Sequence, residues 1–98
     1  MRIIKEKTIY SFAISHADAL EPLKEWISTV RKANWNNFAE MKQTFNSVDN
    51  VGNHRYVFNI KGNDYRIVAI VQFIPKQMFI RFIGTHAEYD KIKDCSIL

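Results

Sequence analysis

The chain predicts an α+β fold, with helices first and an antiparallel sheet after them. Three observations carry this prediction. Apolar residues recur at helical spacing through the first 45 positions. From Arg55 onward they alternate with period two, as residues of a half-buried strand do. The turn formers Gly62, Asn63 and Pro75 fall between the alternating runs. The resulting order is strand, three helices, three strands and a short helix, a segregation typical of α+β domains. The expected architecture is a small domain whose N-terminal strand and helices pack on one face of the sheet. The aromatic side of the sheet receives the helices, and the other side is left open.

Each element follows from local chemistry. Arg2–Lys5 is short and β-leaning. Ile9, Phe12 and Ala13 share one helical face. Ser15-His16-Ala17-Asp18 reads as a helix start, with Ser15 as cap and Asp18 in the first turn. Leu20, Leu23, Ile27 and Val30 then carry the period to about Lys32. Pro22 shifts that start toward Leu20 or bends the helix, because proline is tolerated only near the first turn. Asn37 is a good N-cap for a third helix through Phe38, Met41 and Phe45. Asn46–Asn53 reads as a polar loop, and His86–Lys93 as a short terminal helix.

The strands can be registered against one another. In Arg55–Lys61, Tyr56, Phe58 and Ile60 point one way; Arg55, Val57, Asn59 and Lys61 point the other. A tight turn at Gly62-Asn63 pairs Lys61 with Asp64, Ile60 with Tyr65, and Asn59 with Arg66. In Tyr65–Phe73 the residues Tyr65, Ile67, Ala69, Val71 and Phe73 join the aromatic side. After the Ile74–Gln77 connection, a pairing of Gln72 with Phe79 sets Ile70 against Arg81 and Arg66 against Thr85. Met78, Ile80 and Phe82 then fall on the aromatic side. Asn59, Arg66 and Thr85 form a row across three strands, and His86 lies just beyond it.

Composition narrows the function classes. The 98 residues suit one domain, and 47% apolar and 13% aromatic content separates the chain from disordered sequences. Cys95 is the single cysteine, so there is no disulfide framework and no cysteine-rich metal site. His16, His54 and His86 show no recurring ligand spacing with the acids, so no metal and no other cofactor is expected. No stretch approaches the length of a membrane span, and Met1–Lys7 lacks the apolar core of a secretion signal, which predicts a cytoplasmic protein. The net charge is +4. Residues 1–53 hold 7 basic and 6 acidic side chains, whereas residues 54–98 hold 7 basic and 4 acidic ones. The excess lies in the sheet half and suits a polyanionic partner.

Two stretches, Val57-Phe-Asn-Ile-Lys-Gly-Asn-Asp-Tyr-Arg66 and Gly84-Thr-His-Ala-Glu-Tyr-Asp-Lys91, make the sequence resemble the HigB-type toxins of the RelE-like family of messenger-RNA interferases. Asp18, Leu23, Trp26 and Ala33-Asn-Trp35 extend the likeness over nearly the whole chain. The resemblance implies a small helix-on-sheet toxin that cuts messenger RNA on the translating ribosome. It also implies a HigA-like helix-turn-helix antitoxin as partner, with DNA reached only indirectly through that antitoxin.

In that setting Arg66, His86 and Tyr89 are the candidate catalytic residues. RNA supplies its own nucleophile, the 2′-hydroxyl, so the protein must position it, move protons and stabilise charge at phosphorus. Arg66 is permanently charged and its paired donors match phosphate oxygens. Position alone fits equally a surface arginine paired with Asp64, Glu88 or Asp90. His86 belongs to the residue type that exchanges protons near neutrality, although a helix-capping histidine has the same address. Tyr89, three residues on, shares its helical face and can donate a proton or stack, or simply edge the core. Arg55, Asn59, Lys61, Asn63, Arg81 and Lys91 are the candidate RNA-binding residues, with solvated surface side chains as the plain alternative. Trp26 and Trp35 read as core or antitoxin-interface residues. The rival function is a non-catalytic basic module that blocks translation by binding ribosomal RNA; an inactive relative retained as a co-repressor is a third.

Overall fold

A computed structural model describes all of residues 1–98. A five-stranded sheet forms the middle of the molecule. Its strands are β1 (Arg2–Ile4), β2 (Asp49–Gly52), β3 (Arg55–Ile60), β4 (Tyr65–Gln72) and β5 (Gln77–Thr85). The spatial order is β1-β5-β4-β3-β2. β1 enters the sheet itself, parallel to β5, and every other pairing is antiparallel. Helices α1 (Glu6–Ser15), α2 (Leu20–Lys32) and α3 (Phe38–Thr44) precede the antiparallel strands, and α4 (His86–Asp90) follows them. No helix is long and apolar enough to cross a membrane.

The helices lie where predicted, but α4 stops at Asp90, short of the expected Lys93, and the start of α2 differs. Ser15 does not cap α2; it is the last residue of α1, and a 3₁₀ turn at Ala17–Ala19 links the two helices. α2 starts at Leu20, which places Pro22 in the first turn, where its missing donor costs nothing. Asn37 caps α3 as expected, accepting a 3.0 Å bond from the Glu40 amide. On the helix side, Leu23, Trp26, Ile27 and Val30 of α2 are buried against Phe58, Ile60, Ile67 and Ala69 of the sheet. Trp26 and Phe45 meet the Phe58 ring edge-on, at centroid distances of 5.2 and 5.4 Å. These offset geometries suit the aromatic quadrupole. Both tryptophans lie in this core.

The strand pairing differs from expectation in two places. Residues 49–52 form β2, an edge strand, where a loop was expected; the four residues are mostly exposed and interrupted by a bulge between Asn50 and Gly52. Such a strand has no alternating apolar signal, because it buries no face. The first main hairpin has the expected register, with Asn59 opposite Arg66 and Ile60 opposite Tyr65. In its loop, positive φ falls on Lys61 and Gly62 and not on Asn63.

The second hairpin is tighter than expected. Gln72 pairs with Gln77 and Ile70 with Phe79, two positions from the anticipated partners. A register shift between Val68 and Ala69 then absorbs one extra residue, leaving Arg81 unpaired. Beyond this bulge the faces of β5 exchange. Phe82 lies opposite Val68 and Gly84 opposite Arg66, so Phe82 leaves the aromatic side where alternation had placed it. Ile83 takes the core-facing position and packs against the main core.

Candidate active site

The face of the sheet away from α1–α3 is built from cross-strand rows. Asn59, Arg66 and Gly84 form one row; Val57, Val68 and Phe82 form the next. Thr85, expected beside Arg66, sits instead opposite Tyr65. Nor is the face fully open. Val57 and Val68 are buried at 3% and 0% exposure, yet neither belongs to the helix-side core. The C-terminal segment roofs them: α4 packs against β4 and β5, and a 3₁₀ turn at Cys95–Ile97 packs against β2 and β3. Arg55 ties this roof down, donating to the Leu98 oxygen through Nε (3.0 Å) and Nη2 (2.7 Å). Asn53 adds a 3.0 Å bond to the Ser96 oxygen.

Arg66 and Tyr89 come together on this face where β4 begins. The guanidinium lies 4.6 Å from the Tyr89 ring centroid, a cation–π contact. Arg66 takes part in none of the five ion pairs, so the expected alternative of pairing with Asp64, Glu88 or Asp90 is absent. Its Nε is buried without an acceptor. The site therefore contains a half-buried, uncompensated positive charge with unused donor capacity, suited to a phosphate.

α4 carries the other two candidates on one turn. Thr85 caps it by accepting from the Glu88 amide at 3.1 Å, and Glu88 Oε1 accepts from the Thr85 amide at 2.8 Å. This reciprocal cap offsets the cost of so short a helix. It also holds the Glu88 carboxyl below its ordinary range, first through the backbone bond and then through the Thr85 side chain. The His86 amide donates to the Asp64 carbonyl at 3.0 Å, fixing the helix start to the β3–β4 loop. The His86 ring meets Asp90 one turn further on, with Nδ1 2.9 Å from Oδ2, which leaves Nε2 for other chemistry. Burial raises the Tyr89 phenol above its ordinary value; neighbouring Cys95 adds to this, while the Arg66 charge opposes it. Tyr89 is thus a protonated donor at neutral pH.

The candidate RNA-binding residues divide. Arg81 is exposed on the bulge and Lys91 exposed just after α4, and neither forms an ion pair. Asn63 is exposed in the hairpin loop, and Asn59 is half-buried opposite Arg66. Arg55 is engaged by the C-terminal segment. Lys61 is engaged by Asp18, at 2.8 Å. Asp18 also accepts from the Tyr65 hydroxyl at 2.5 Å. That network ties the 3₁₀ turn before α2 to the hairpin next to Arg66. It lowers the Asp18 carboxyl, chiefly through Lys61, and raises the Tyr65 phenol, chiefly through Asp18. His54 stands in the exposed β2–β3 turn, with φ 64°. No three His, Cys, Asp or Glu side chains gather at one point.

Sequence reasoning missed Phe82, Gly84 and Cys95. The first two reach the site only through the bulge, which interrupts an apolar alternation that gives no hint of it. Cys95 arrives only because the tail folds back over the sheet.

Comparison with known proteins identifies the family to which the chain is similar. Residues 19–92 match the family model HigB_toxin, described as the RelE-like toxic component of a toxin-antitoxin system. The mRNA interferase toxin HigB of Escherichia coli K12 is 33% identical over 92 residues, covering 92% of this chain and 88% of the relative. The mRNA interferase HigB of Escherichia coli O6:H1 is 29% identical over 94 residues, covering 94% and 91%. That of Shigella flexneri is 33% identical over 92 residues.

Proposed function

Because the chain belongs to the HigB family of RelE-like toxins, we propose that its Arg66 face cuts messenger RNA on the translating ribosome, without a metal. The protein is the toxin of a toxin-antitoxin system and an endoribonuclease, an mRNA interferase like its relatives. The observation that carries the site assignment is the uncompensated Arg66 guanidinium beneath Tyr89.

The chemistry follows from the groups available. Arg66 receives the scissile phosphate and stabilises the charge that builds on its non-bridging oxygens. His86, oriented by Asp90, accepts the proton of the 2′-hydroxyl through Nε2. The 2′-oxygen attacks phosphorus, the P–O5′ bond breaks, and protonated Tyr89 donates to the departing 5′-oxygen. The products are a 2′,3′-cyclic phosphate and a 5′-hydroxyl. Asn59, Asn63, Arg81 and Lys91 contact the RNA backbone; Arg55 and Lys61 act mainly by shaping the site, through the tail and Asp18.

The charge count supports ribosome dependence. With Arg55 and Lys61 engaged, only Arg81 and Lys91 remain of the four candidate RNA-binding cations, beside Arg66 at the phosphate. Each neutralised phosphate adds only one counterion's worth of affinity, so naked RNA binds weakly and with strong salt sensitivity. The ribosome supplies the missing orientation. The system acts in the cytoplasm, with a HigA-like antitoxin as the toxin's partner and with DNA reached only through it.

The test compares initial rates on one transcript, naked and in translating ribosomes, at matched ionic strength, with the product ends identified. Fast cutting only on ribosomes, surviving a chelator that leaves ribosomes assembled, and giving 5′-hydroxyl ends is the expected result. Equal rates would leave a general ribonuclease. Ends bearing 5′-phosphate would indicate attack by water. Stalled ribosomes on intact message would favour a non-catalytic binder of ribosomal RNA.

A further inference from the structure

We infer that Phe82 is a base-stacking, specificity-determining residue, taking the nucleobase next to the scissile phosphate. The inference rests on the RNA-cleaving reading of the Arg66 face and adds a substrate contact to it. Four residues form a square on that face: Phe82 opposite Val68, and Gly84 opposite Arg66. Val68 is fully buried and Gly84 is buried, whereas Phe82 and Arg66 stay partly exposed. The ring of Phe82 lies over Gly84: a Cβ built on Gly84 would come within 2.6 Å of Phe82 Cζ and 3.1 Å of Glu88 Oε1. Only glycine lets the ring lean this way, along the strand toward the row that holds Arg66. The backbone conformation does not require glycine here, since φ of Gly84 is not positive. What the position requires is room for the ring.

The bulge takes Phe82 out of the helix-side core and gives its place to Ile83. A register without the bulge would bury Phe82 with Met78 and Ile80 in the aromatic core. The bulge at Arg81 forgoes that burial and sets an aromatic ring, partly exposed, one row from an unpaired guanidinium. Tyr89 flanks the same guanidinium from α4. An aromatic surface beside a phosphate-binding arginine is the arrangement by which proteins hold an unpaired base, because every base offers a π-face to a ring. Arg66 takes the phosphate, and Phe82 holds the adjoining base, which orients the sugar and its 2′-hydroxyl.

Phe82→Leu removes the ring and keeps apolar bulk over Gly84; Phe82→Tyr keeps the ring. The experiment maps 5′ ends on translating ribosomes, with kcat and KM for the dominant cut and a thermal melt of each variant. Expected for Phe82→Leu is an unchanged melt, a roughly 5- to 150-fold loss in kcat/KM, and an altered base preference beside the cut. Phe82→Tyr should keep both the rate and the preference. The inference is overturned if Phe82→Leu cuts the wild-type sites at the wild-type rate, or if both variants lose activity in step with a lowered melt. If wild-type protein leaves messages intact, the ribonuclease reading fails and this inference fails with it. Wild-type cutting with an indifferent Phe82→Leu sinks this inference alone.

Discussion

The two faces of the sheet are made of the same strands and are held in different ways. On the helix side, Phe58, Ile67, Ala69, Val71 and Met78 are at most 1% exposed and interlock with α2 and with Phe45. No polar or charged residue is buried in the protein. On the other side, half-buried Arg66, Asn59 and Phe82 lie beside two buried valines and beneath a roof of one helical turn and a 3₁₀ turn. A few hydrogen bonds hold that roof: Arg55 and Asn53 to the tail, and Thr85 with Glu88 across the cap. Non-directional burial holds the first face, and directional contacts hold the second, where the reaction is proposed to occur. Stability and activity should therefore respond to different substitutions.

The largest expected effect is on the helix side. Phe58→Ala opens a cavity among Trp26 and Phe45 and should cost about 3–5 kcal/mol, seen as a large fall in the thermal midpoint and loss of toxicity with the fold. On the tail side, Tyr89→Phe keeps the ring over Arg66 and removes the proposed proton donor. It should leave the melt intact and slow cutting by roughly 10²–10⁴-fold; a folded Tyr89→Phe protein that cuts at the wild-type rate would remove Tyr89 from proton transfer. Thr85→Ala should cost about 1 kcal/mol through loss of the α4 cap. Because α4 carries His86 and Tyr89, its rate should fall more than its melt; equal falls would mean the helix is stabilised but not aimed by its cap.

The smallest effect joins the two faces. Asp18 has a depressed carboxyl, so its contribution is present above the ordinary carboxylate range and lost as pH falls through the lowered value. Tyr65 is raised, so its contribution is present below the ordinary phenol range and lost as pH rises through the raised value. Asp18→Asn should flatten the dependence of the melting temperature on pH at both ends. A curve of unchanged shape would show that the Asp18–Tyr65–Lys61 network does not couple to folding.

How much of each face was legible in the sequence follows from the same contrast. The helix stripes and the β3–β4 register were readable because every misplacement would expose an aromatic residue, as with Phe58 between Tyr56 and Ile60. The Arg81 bulge was not, because β5 is apolar on both sides of it and either register buries something. β2 escaped notice because Asp49–Gly52 buries almost nothing. The roof depends on Arg55 meeting Leu98, 43 residues away, a contact with no local pattern. Arg66 and Tyr89 were nameable as candidates, but their contact needed the fold.

The central claim is that the chemistry resides on the tail-side face and can be removed without touching the fold. Arg66→Ala tests it most directly, by measuring message cleavage on translating ribosomes and the thermal melt on one protein preparation. Arg66 supports no ion pair and fills no part of the helix-side core, so the melt should not fall. Cleavage should fall by roughly 10²–10³-fold, the usual cost of losing one preorganised donor to a developing charge. A folded Arg66→Ala protein that cuts messages as the wild type does would contradict the account.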